Sequence, residues 1–263
     1  MARKMKSATS PQRPVNTNAK RANRNNPRED RNTQPENNGP IFSKKKAVLL
    51  PRNLAQEKFC DELESDKTIL ICTGSPGSGK TYLTLVRAVQ ALQNNEISKI
   101  ILCRAAVTVD NEEHGFLPGS MTDKLRIFAV PAFDVLKLYY SPVEIERMLL
   151  NETIELAPLS HMRGRNLGGE MGDVYVVADE CQNLLSSQIL MLTTRINGEG
   201  SRIFLLGDTK QHDRGHTKSG ILDFVERIES RGGHPDIGIC HFTPKDVVRH
   251  PIITDILKMY GQE

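Results

Sequence analysis

One stretch limits the folds open to this chain more than any other: a Gly-rich loop between an apolar run and a helical pattern. Gly74, Gly79, Lys80 and Thr81 fill the spacing G-x-x-x-x-G-K-[ST]. The residues leading into the loop are apolar or β-branched, as in a buried parallel strand. After the loop, apolar residues recur at helical spacing as far as Gln93. This order of strand, loop and helix predicts a phosphate-binding loop.

The chemistry of a phosphate site explains the residue types in this loop. Glycines allow backbone N–H groups to turn inward around phosphate oxygens, and the helix that follows directs its positive N-terminus at the same charge. Lys80 is predicted to reach the β- and γ-phosphates, and the Thr81 hydroxyl to bind Mg²⁺. The predicted nucleotide site comprises Gly74, Ser75, Pro76, Gly77, Ser78, Gly79, Lys80 and Thr81.

Two acids follow a second apolar strand. The run from Val174 to Ala178 ends in Asp179 and Glu180. Asp179 has the position of the carboxylate that contacts Mg²⁺ through its bound water in a P-loop enzyme, and Glu180 that of a general base that activates the attacking water. Such a pair can also be an ordinary helix N-cap. With a phosphate-binding loop upstream, hydrolysis is the better interpretation.

A third strand, Ile203–Leu206, runs into a polar turn that contains Gln211. This glutamine is predicted to sense the γ-phosphate or to position water, although an ordinary Gly-Asp turn is the simpler alternative. GTP-binding proteins carry the guanine-binding pattern N/T-K-x-D. The run Thr209 to His212 does not match this pattern, because the aspartate, Asp213, comes one residue too late. ATP is therefore favoured over GTP.

The folded part of the chain alternates between strand and helix patterns. We predict strands at 68–73, 100–104, 153–157, 173–178, 202–206 and 237–242, and helices at 52–64, 81–93, 120–140, 142–150, 186–195, 219–230 and 251–260. Such alternation is typical of a doubly wound, mostly parallel α/β sheet. The predicted fold class is a P-loop NTPase with a single RecA-like sheet over residues 47–263.

The first 46 residues differ from the rest in composition. They carry 12 Lys and Arg against three acids, which leaves 23 bases and 29 acids in the other 217 residues. This segment has almost no apolar residues, so we expect it to be a disordered tail. It is either a solvated solubility tail or an arm that grips an acidic polymer such as RNA.

The chain has neither a secretory signal pattern nor an apolar run long enough for a membrane span. Its five cysteines never have C-x-x-C spacing, and Cys72 and Cys103 fall in predicted strands. We therefore expect reduced core thiols and a cytoplasmic protein without a membrane partner.

Several motifs together resemble one family. In order they are Asn53–Gln56, the loop Gly74–Thr81, His114–Gly119, Ala157–Leu159 with Met162–Arg165, Asp179-Glu180 with Gln182-Asn183, Gly207–Thr209 with Gln211, Ser219-Gly220 and Asp246–Pro251. This series resembles the PhoH-like family of ATPases, which is related to superfamily-one helicases. The resemblance runs from about Asn53 to Tyr260. The M-R-G-R and V-V-R-H-P elements are far more specific than the loop.

The resemblance implies further roles. Gln56 would contact adenine, and Arg249 would be an arginine finger delivered to a neighbouring subunit. The resemblance implies a single RecA-like core that assembles into rings, commonly hexamers. Some family members act on RNA. The chain departs from the family pattern at Ala105 and at 111–114.

Two segments are candidates for contacts to nucleic acid or to a neighbouring subunit. Phe116 lies in a Gly-bounded segment that offers a base-stacking surface or is simply a packed turn. Arg163 and Arg165 flank a glycine and can bind phosphate or a second subunit, with a solvated charged loop as the alternative.

The sequence therefore predicts an Mg²⁺-dependent ATPase that works as a homo-oligomeric ring, a hexamer being favoured, on RNA or single-stranded nucleic acid. A slow ATP-dependent switch or scaffold without translocation is the first alternative. A small-molecule kinase on the same loop is the second, and Glu180 argues against it because a kinase must exclude activated water.

Overall fold

A parallel sheet organises the part of the chain that the computed structural model describes, residues 45–104, 129–170, 172–208, 219–248 and 252–259. The strands are β1 (Ile69–Gly74), β2 (Lys99–Arg104), β3 (Ile154–Pro158), β4 (Val174–Asp179), β5 (Arg202–Gly207) and β6 (Ile237–Phe242). Within the described ranges these six strands pair in the order β3-β2-β4-β5-β1-β6, and every neighbouring pair is parallel.

Helices cover both faces of this sheet. They are α1 (Leu54–Glu64), α2 (Lys80–Gln93), α3 (Val130–Leu136), α4 (Pro142–Leu150), α5 (Ser186–Thr193), α6 (Gly220–Glu229) and α7 (Ile252–Met259). Leu70 and Cys72 of β1 point into one apolar core with α1 to α4, and Ile71 points into a second core with α5 and α6. The prediction of a doubly wound α/β fold is therefore confirmed.

The predicted helix over 120–140 is shorter at its C-terminal end, and residues 120–128 lie outside the described ranges. Helix α3 ends at Leu136, and Tyr139 and Tyr140 are both buried beyond it. Pro142 disfavours a helical conformation at Ser141, which is extended and caps α4 instead. A break between the two helices follows from this Ser-Pro pair.

Three short 3₁₀ turns were not predicted, and each begins within two residues of the carboxyl end of a strand. They are Leu159–Met162, Cys181–Asn183 and Pro244–Asp246. Segments of three or four residues carry too little periodicity to be read from sequence. No helix in the described ranges has the length and apolar character needed to cross a bilayer.

The carboxyl ends of β2, β4, β5 and β1 lie side by side at one edge of the sheet. In the strand register Arg104 is opposite Asp179, and Gly207 is opposite Thr73. Ligand sites of open parallel sheets form at this edge, beyond the strand ends. The phosphate loop after β1 and the two acids at the end of β4, both predicted from the sequence, therefore lie at the same edge of the sheet.

Candidate nucleotide site

The Gly-rich loop connects β1 to α2 with three glycines in the left-handed region. Gly74, Gly77 and Gly79 have φ of 136°, 83° and 94°. Space also restricts two of them: a Cβ on Gly79 would come within 2.7 Å of the Gln56 side-chain nitrogen, and one on Gly74 would overlap the Phe242 carbonyl oxygen. Glycine is required here both by conformation and by the close approach of the Phe242 backbone to Gly74 and of the Gln56 side chain to Gly79.

The Lys80 side chain folds back over the loop. Its Nζ donates to the carbonyl oxygens of Gly74 at 2.6 Å and Ser75 at 3.0 Å, and lies 3.4 Å from the Ser78 hydroxyl. Burial lowers the pKa of this amine below its usual range, although nearby acidic groups oppose the shift. The arrangement places a positive charge at the centre of the loop.

Thr81 and Asp179 meet across the gap between the loop and β4. The Thr81 hydroxyl lies 3.4 and 3.3 Å from the two carboxylate oxygens of Asp179. Burial raises the pKa of Asp179, and the neighbouring charge of Glu180 adds to the rise. A hydroxyl and a buried carboxylate are the hard oxygen ligands that Mg²⁺ prefers, so this pair fits the ion.

Glu180 follows β4 with a left-handed backbone, φ 57°. Such a conformation is uncommon for a residue with a side chain. Its carboxylate accepts hydrogen bonds from Arg104 Nη2 at 2.9 Å and from Gln182 Nε2 at 2.7 Å. The other end of the Gln182 amide accepts the N–H of Asp208 at 3.1 Å. The base predicted from the sequence is therefore held by side chains on both sides.

Two segments distant in sequence support the loop from outside. The buried Gln56 amide donates to the Ser78 carbonyl oxygen at 2.8 Å and accepts the N–H of Arg52. The turn after β6 closes the other side, where the Val248 N–H donates to the Gly77 carbonyl oxygen at 3.2 Å. The loop conformation thus depends on both ends of the folded chain.

A cleft of about 500 Å³ opens in front of these groups. The loop and the end of β4 line one part of it, and Arg104 and Asp208 line the strand edge. Tyr82, Pro131 and Val135 offer apolar surface on another part of the wall, which is completed by Leu50, Arg52, Gln56 and Val248. A polar end with charged groups and an apolar wall suit a phosphate-bearing ligand with a flat base.

The structure brings together part of the predicted site. Asp179, Glu180 and Gln56 line the cleft, as do Pro76, Gly77, Gly79, Lys80 and Thr81 of the loop, and the Gln56 amide also binds the loop backbone. Gly74, Ser75 and Ser78 belong to the same loop but are not among the lining residues. The predicted contact of Gln56 with adenine stays a prediction. Gln211, Arg249 and Phe116 lie outside the described residues, so their roles also stay predictions.

The two arginines of the M-R-G-R segment are not among the residues that line this cleft. Arg163 is exposed. Arg165 forms a two-pronged ion pair with Glu155 of β3, whose second oxygen also lies 3.2 Å from Lys99. The hydrogen bonds between the two side chains, followed by the attraction of their charges, raise the pKa of Arg165 and lower the pKa of Glu155. A contact of either arginine with nucleic acid or with a neighbouring subunit stays a prediction.

Sequence reasoning gave no role to Arg104 or Gln182. Both had a usable signal, because Arg104 ends a predicted parallel strand and Gln182 lies two residues after Glu180. Strand ends at the same edge must lie together, so polar residues there are candidates for mutual contacts. Which of them touch depends on strand order, which the sequence did not provide.

The sheet and the loop define this protein as a P-loop NTPase. Among solved structures it is similar to the large terminase from a thermophilic bacteriophage, with a TM-score of 0.51, 13% identity, and 80% of this chain and 51% of that chain covered. Another crystal form of that terminase, in complex with ADP, matches with a TM-score of 0.50 and 14% identity, covering 80% and 50%. At such identities the likeness shows the fold.

A family model described as PhoH-like protein matches residues 48–261, and the chain belongs to that family. The PhoH-like protein of Bacillus subtilis (strain 168) is 40% identical over 192 residues, covering 72% of this chain and 57% of the relative. That of Mycobacterium bovis is 36% identical over 223 residues, covering 84% and 60%. Protein PhoH of Escherichia coli (strain K12) is 33% identical, covering 83% and 60%. The chain thus spans about 60% of the length of these relatives.

Proposed function

We propose that this protein is an Mg²⁺-dependent ATPase that assembles into a ring and acts on RNA or single-stranded nucleic acid. The observation that carries the proposal is the meeting of Thr81, Asp179 and Glu180 beside the Lys80 loop. A phosphate cradle, an Mg²⁺ pair and a carboxylate next to that pair are the parts that nucleotide hydrolysis requires. Membership of the PhoH-like family and the P-loop NTPase fold support hydrolysis in general terms.

Each group has a defined task in this proposal. The loop N–H groups and Lys80 bind and neutralise the phosphates, while Thr81 and Asp179 hold Mg²⁺. The ion, when bound, spreads positive charge over the phosphate oxygens. Glu180 orients the attacking water and accepts its proton. Outside the described residues, Gln211 is proposed to sense the γ-phosphate and Arg249 to act as the arginine finger.

ATP is proposed as the nucleotide for two reasons. The sequence after β5 does not contain the guanine-binding pattern, and a terminase of similar fold has been solved in complex with ADP. A kinase is the less favourable interpretation, since Glu180 stands where it would direct water to the phosphate.

Action on nucleic acid in a cytoplasmic ring is the finer part of the proposal. The basic segment 1–46 is suited to phosphate backbones, and the family resemblance points to rings and RNA. The five cysteines of the chain are free thiols, as expected in a reducing compartment.

A second candidate, an ATP-dependent switch with slow hydrolysis, is favoured by one observation. Both oxygens of the Glu180 carboxylate accept hydrogen bonds from protein groups, Arg104 and Gln182. A base occupied in this way is poorly available to water. Rapid binding and slow turnover would follow unless another partner releases the carboxylate.

Phosphate release by the full chain, measured with Mg²⁺-ATP in the presence and absence of single-stranded RNA, tests the proposal. We expect hydrolysis that RNA stimulates and that Lys80→Ala abolishes, with native mass measurement showing a ring. The exposed Lys58→Ala serves as a lysine control outside the site. Slow hydrolysis that no nucleic acid changes would favour the switch, and ATP binding without any hydrolysis would reject the ATPase.

A further inference from the structure

A chain of side-chain contacts crosses the ends of three neighbouring strands. It runs from Arg104 at the end of β2, through Glu180 after β4 and Gln182, to the backbone N–H of Asp208 after β5. The three strands β2, β4 and β5 are adjacent in the sheet. The predicted base is therefore mechanically connected to the strands on both sides of its own.

The two bonds to Glu180 differ in how readily they can be released. Gln182 is 4% exposed, and both ends of its side-chain amide form hydrogen bonds. Gly207 packs closely against it, since a Cβ on Gly207 would lie 2.9 Å from the Gln182 side-chain oxygen. The side chains of Arg104 and Glu180 are instead about one-third exposed. Water can compete for a partly exposed ion pair, which is correspondingly weak. Gln182 is the fixed support of the carboxylate and Arg104 the exchangeable one.

Arg104 also affects what the carboxylate can do. A guanidinium on one oxygen occupies a lone pair and neutralises the negative charge that would attract a water proton. Gln182 occupies the second oxygen. Full activity as a base requires the carboxylate to exchange a protein donor for water, and the partly exposed Arg104 is the donor that can leave.

We propose that Arg104 is a positioning residue that acts through Glu180, holding the base in a low-activity ion pair that a bound polynucleotide releases. This inference rests on the proposed ATPase function and adds the element that regulates it. Arg104 is suited to the task because it ends β2 and its guanidinium is partly exposed, so a phosphate oxygen of a polynucleotide can compete with the Glu180 carboxylate for it. A polynucleotide that binds the guanidinium would thereby free the carboxylate.

A competing role for Arg104 follows from its place in the cleft wall. An arginine lining a nucleotide cleft can bind phosphate and stabilise the transition state, in which case its loss would slow hydrolysis. The two roles therefore predict changes of opposite sign in the basal rate. That opposition makes the proposal testable with one substitution.

The decisive variant is Arg104→Gln, which keeps a polar side chain and removes the charge. We expect basal kcat to rise about threefold to fivefold, the factor that corresponds to loss of a partly exposed ion pair, with KM for ATP unchanged. The ratio of RNA-stimulated to basal rate should fall by a similar factor. Arg104→Lys keeps the positive charge, so it should retain most of the ion-pair restraint on Glu180 and have a basal rate close to that of the parent. A merely structural role would not separate these variants.

Lys99→Gln is the matched control, because Lys99 lies at the opposite end of the same strand and pairs with Glu152 and Glu155. It removes an ion-pairing charge from β2 without touching the cleft, so it should leave the basal rate and the RNA ratio unchanged. A lower basal rate in Arg104→Gln would overturn the proposal in favour of the phosphate-binding role. An unchanged rate and ratio would also overturn it.

A second measurement tests the role of Arg104 independently of the proposed ATPase function. Thermal midpoints of the parent, Arg104→Gln, Glu180→Gln and the double variant form a cycle that needs no hydrolysis. Non-additive shifts are expected if the ion pair exists in solution, even if the parent hydrolyses no ATP and the proposed function fails. Additive shifts would overturn the role of Arg104 whatever the activity.

Discussion

The side-chain amide of Gln56 donates to the carbonyl oxygen of Ser78 over 2.8 Å and so ties helix α1 to the phosphate loop. The other end of this amide accepts the N–H of Arg52, and the side chain is 2% exposed. Both ends of the amide are thus bonded to the protein backbone. The geometry supports a role in shaping the loop, whereas the family resemblance implies a contact with adenine.

Substitution of Gln56 by Ala separates these roles. If the amide supports the loop, loss of a buried hydrogen bond should weaken binding of ATP and GTP equally, by about tenfold. An adenine contact would instead weaken ATP alone. Fluorescent analogues of both nucleotides provide the measurement. Gln93→Ala is the matched control, because Gln93 also bonds backbone groups, at Lys45 and Ala47, but away from the loop.

Glu180→Gln should separate hydrolysis from binding. The variant removes the general base but leaves Lys80, Thr81 and the loop glycines, so we expect kcat to fall by about 10²–10⁴ at unchanged ATP affinity. Single-turnover phosphate release and equilibrium binding measure the two quantities. Glu64→Gln, on an exposed position of α1, should behave as the parent does. Hydrolysis at the parent rate would remove Glu180 from the mechanism.

The basic segment should carry the salt-dependent share of RNA affinity. Deletion should remove residues 2–43 and stop there, because the carbonyl oxygen of Lys45 and the N–H of Ala47 both bond Gln93. We expect weaker RNA binding and a salt slope that falls by about 0.7 for each phosphate that the tail had neutralised. Basal ATPase should be retained. A tail with Lys and Arg changed to Gln is the control for length, and an unchanged slope would reduce the segment to a solubility tail.

Arg249 is predicted to act on ATP held by a neighbouring subunit. Arg249→Ala subunits keep their own site, and Lys80→Ala subunits keep the finger, so mixed rings should regain activity at shared interfaces. A finger arginine is worth about 10³–10⁵ in rate, which makes the recovery easy to detect. Native mass measurement must show that the mixed rings form. Co-assembled rings as inactive as either variant would reject action between subunits.

Asp179→Asn should stabilise the nucleotide-free protein while abolishing hydrolysis. Burial raises the pKa of Asp179, so its ionised form destabilises the native state above the folded pKa, and that cost disappears as the pH falls toward the unfolded value. We expect the variant to be more stable than the parent near neutral pH, which a higher Tm would show.

The stability difference between Asp179→Asn and the parent should depend on pH, and this dependence tests whether the Asp179 carboxylate is its cause. Thermal midpoints of parent and variant, compared from about pH 7 to about pH 4, should converge as Asp179 becomes protonated. Thr193→Ala, which removes a hydroxyl bonded only within α5, is a control for general effects. A variant less stable than the parent at neutral pH would contradict the cost assigned to the buried carboxylate.

Local patterns determined much of this protein. The glycines specify a phosphate loop because few other residues permit its backbone conformation, and Lys80 supplies the positive charge. The apolar strand runs specify a sheet that is buried on both faces. Predicted strands fell within a residue or so of those observed. Asp179 and Glu180 were found from sequence because they end such a strand, and the family was identified from motif order and confirmed by the family match.

Only the tertiary structure decided which strand ends become neighbours. The contact of Arg104 with Glu180 joins residues 76 apart in sequence, and that of Gln56 with Ser78 joins residues 22 apart. Neither has a periodicity or a spacing that could be read along the chain. Side chains at strand ends meet according to the order in which strands pair, and that order is set by the packing of helices on both faces of the sheet. The state of the predicted base, held by Arg104 and Gln182, is therefore a property of the assembled sheet.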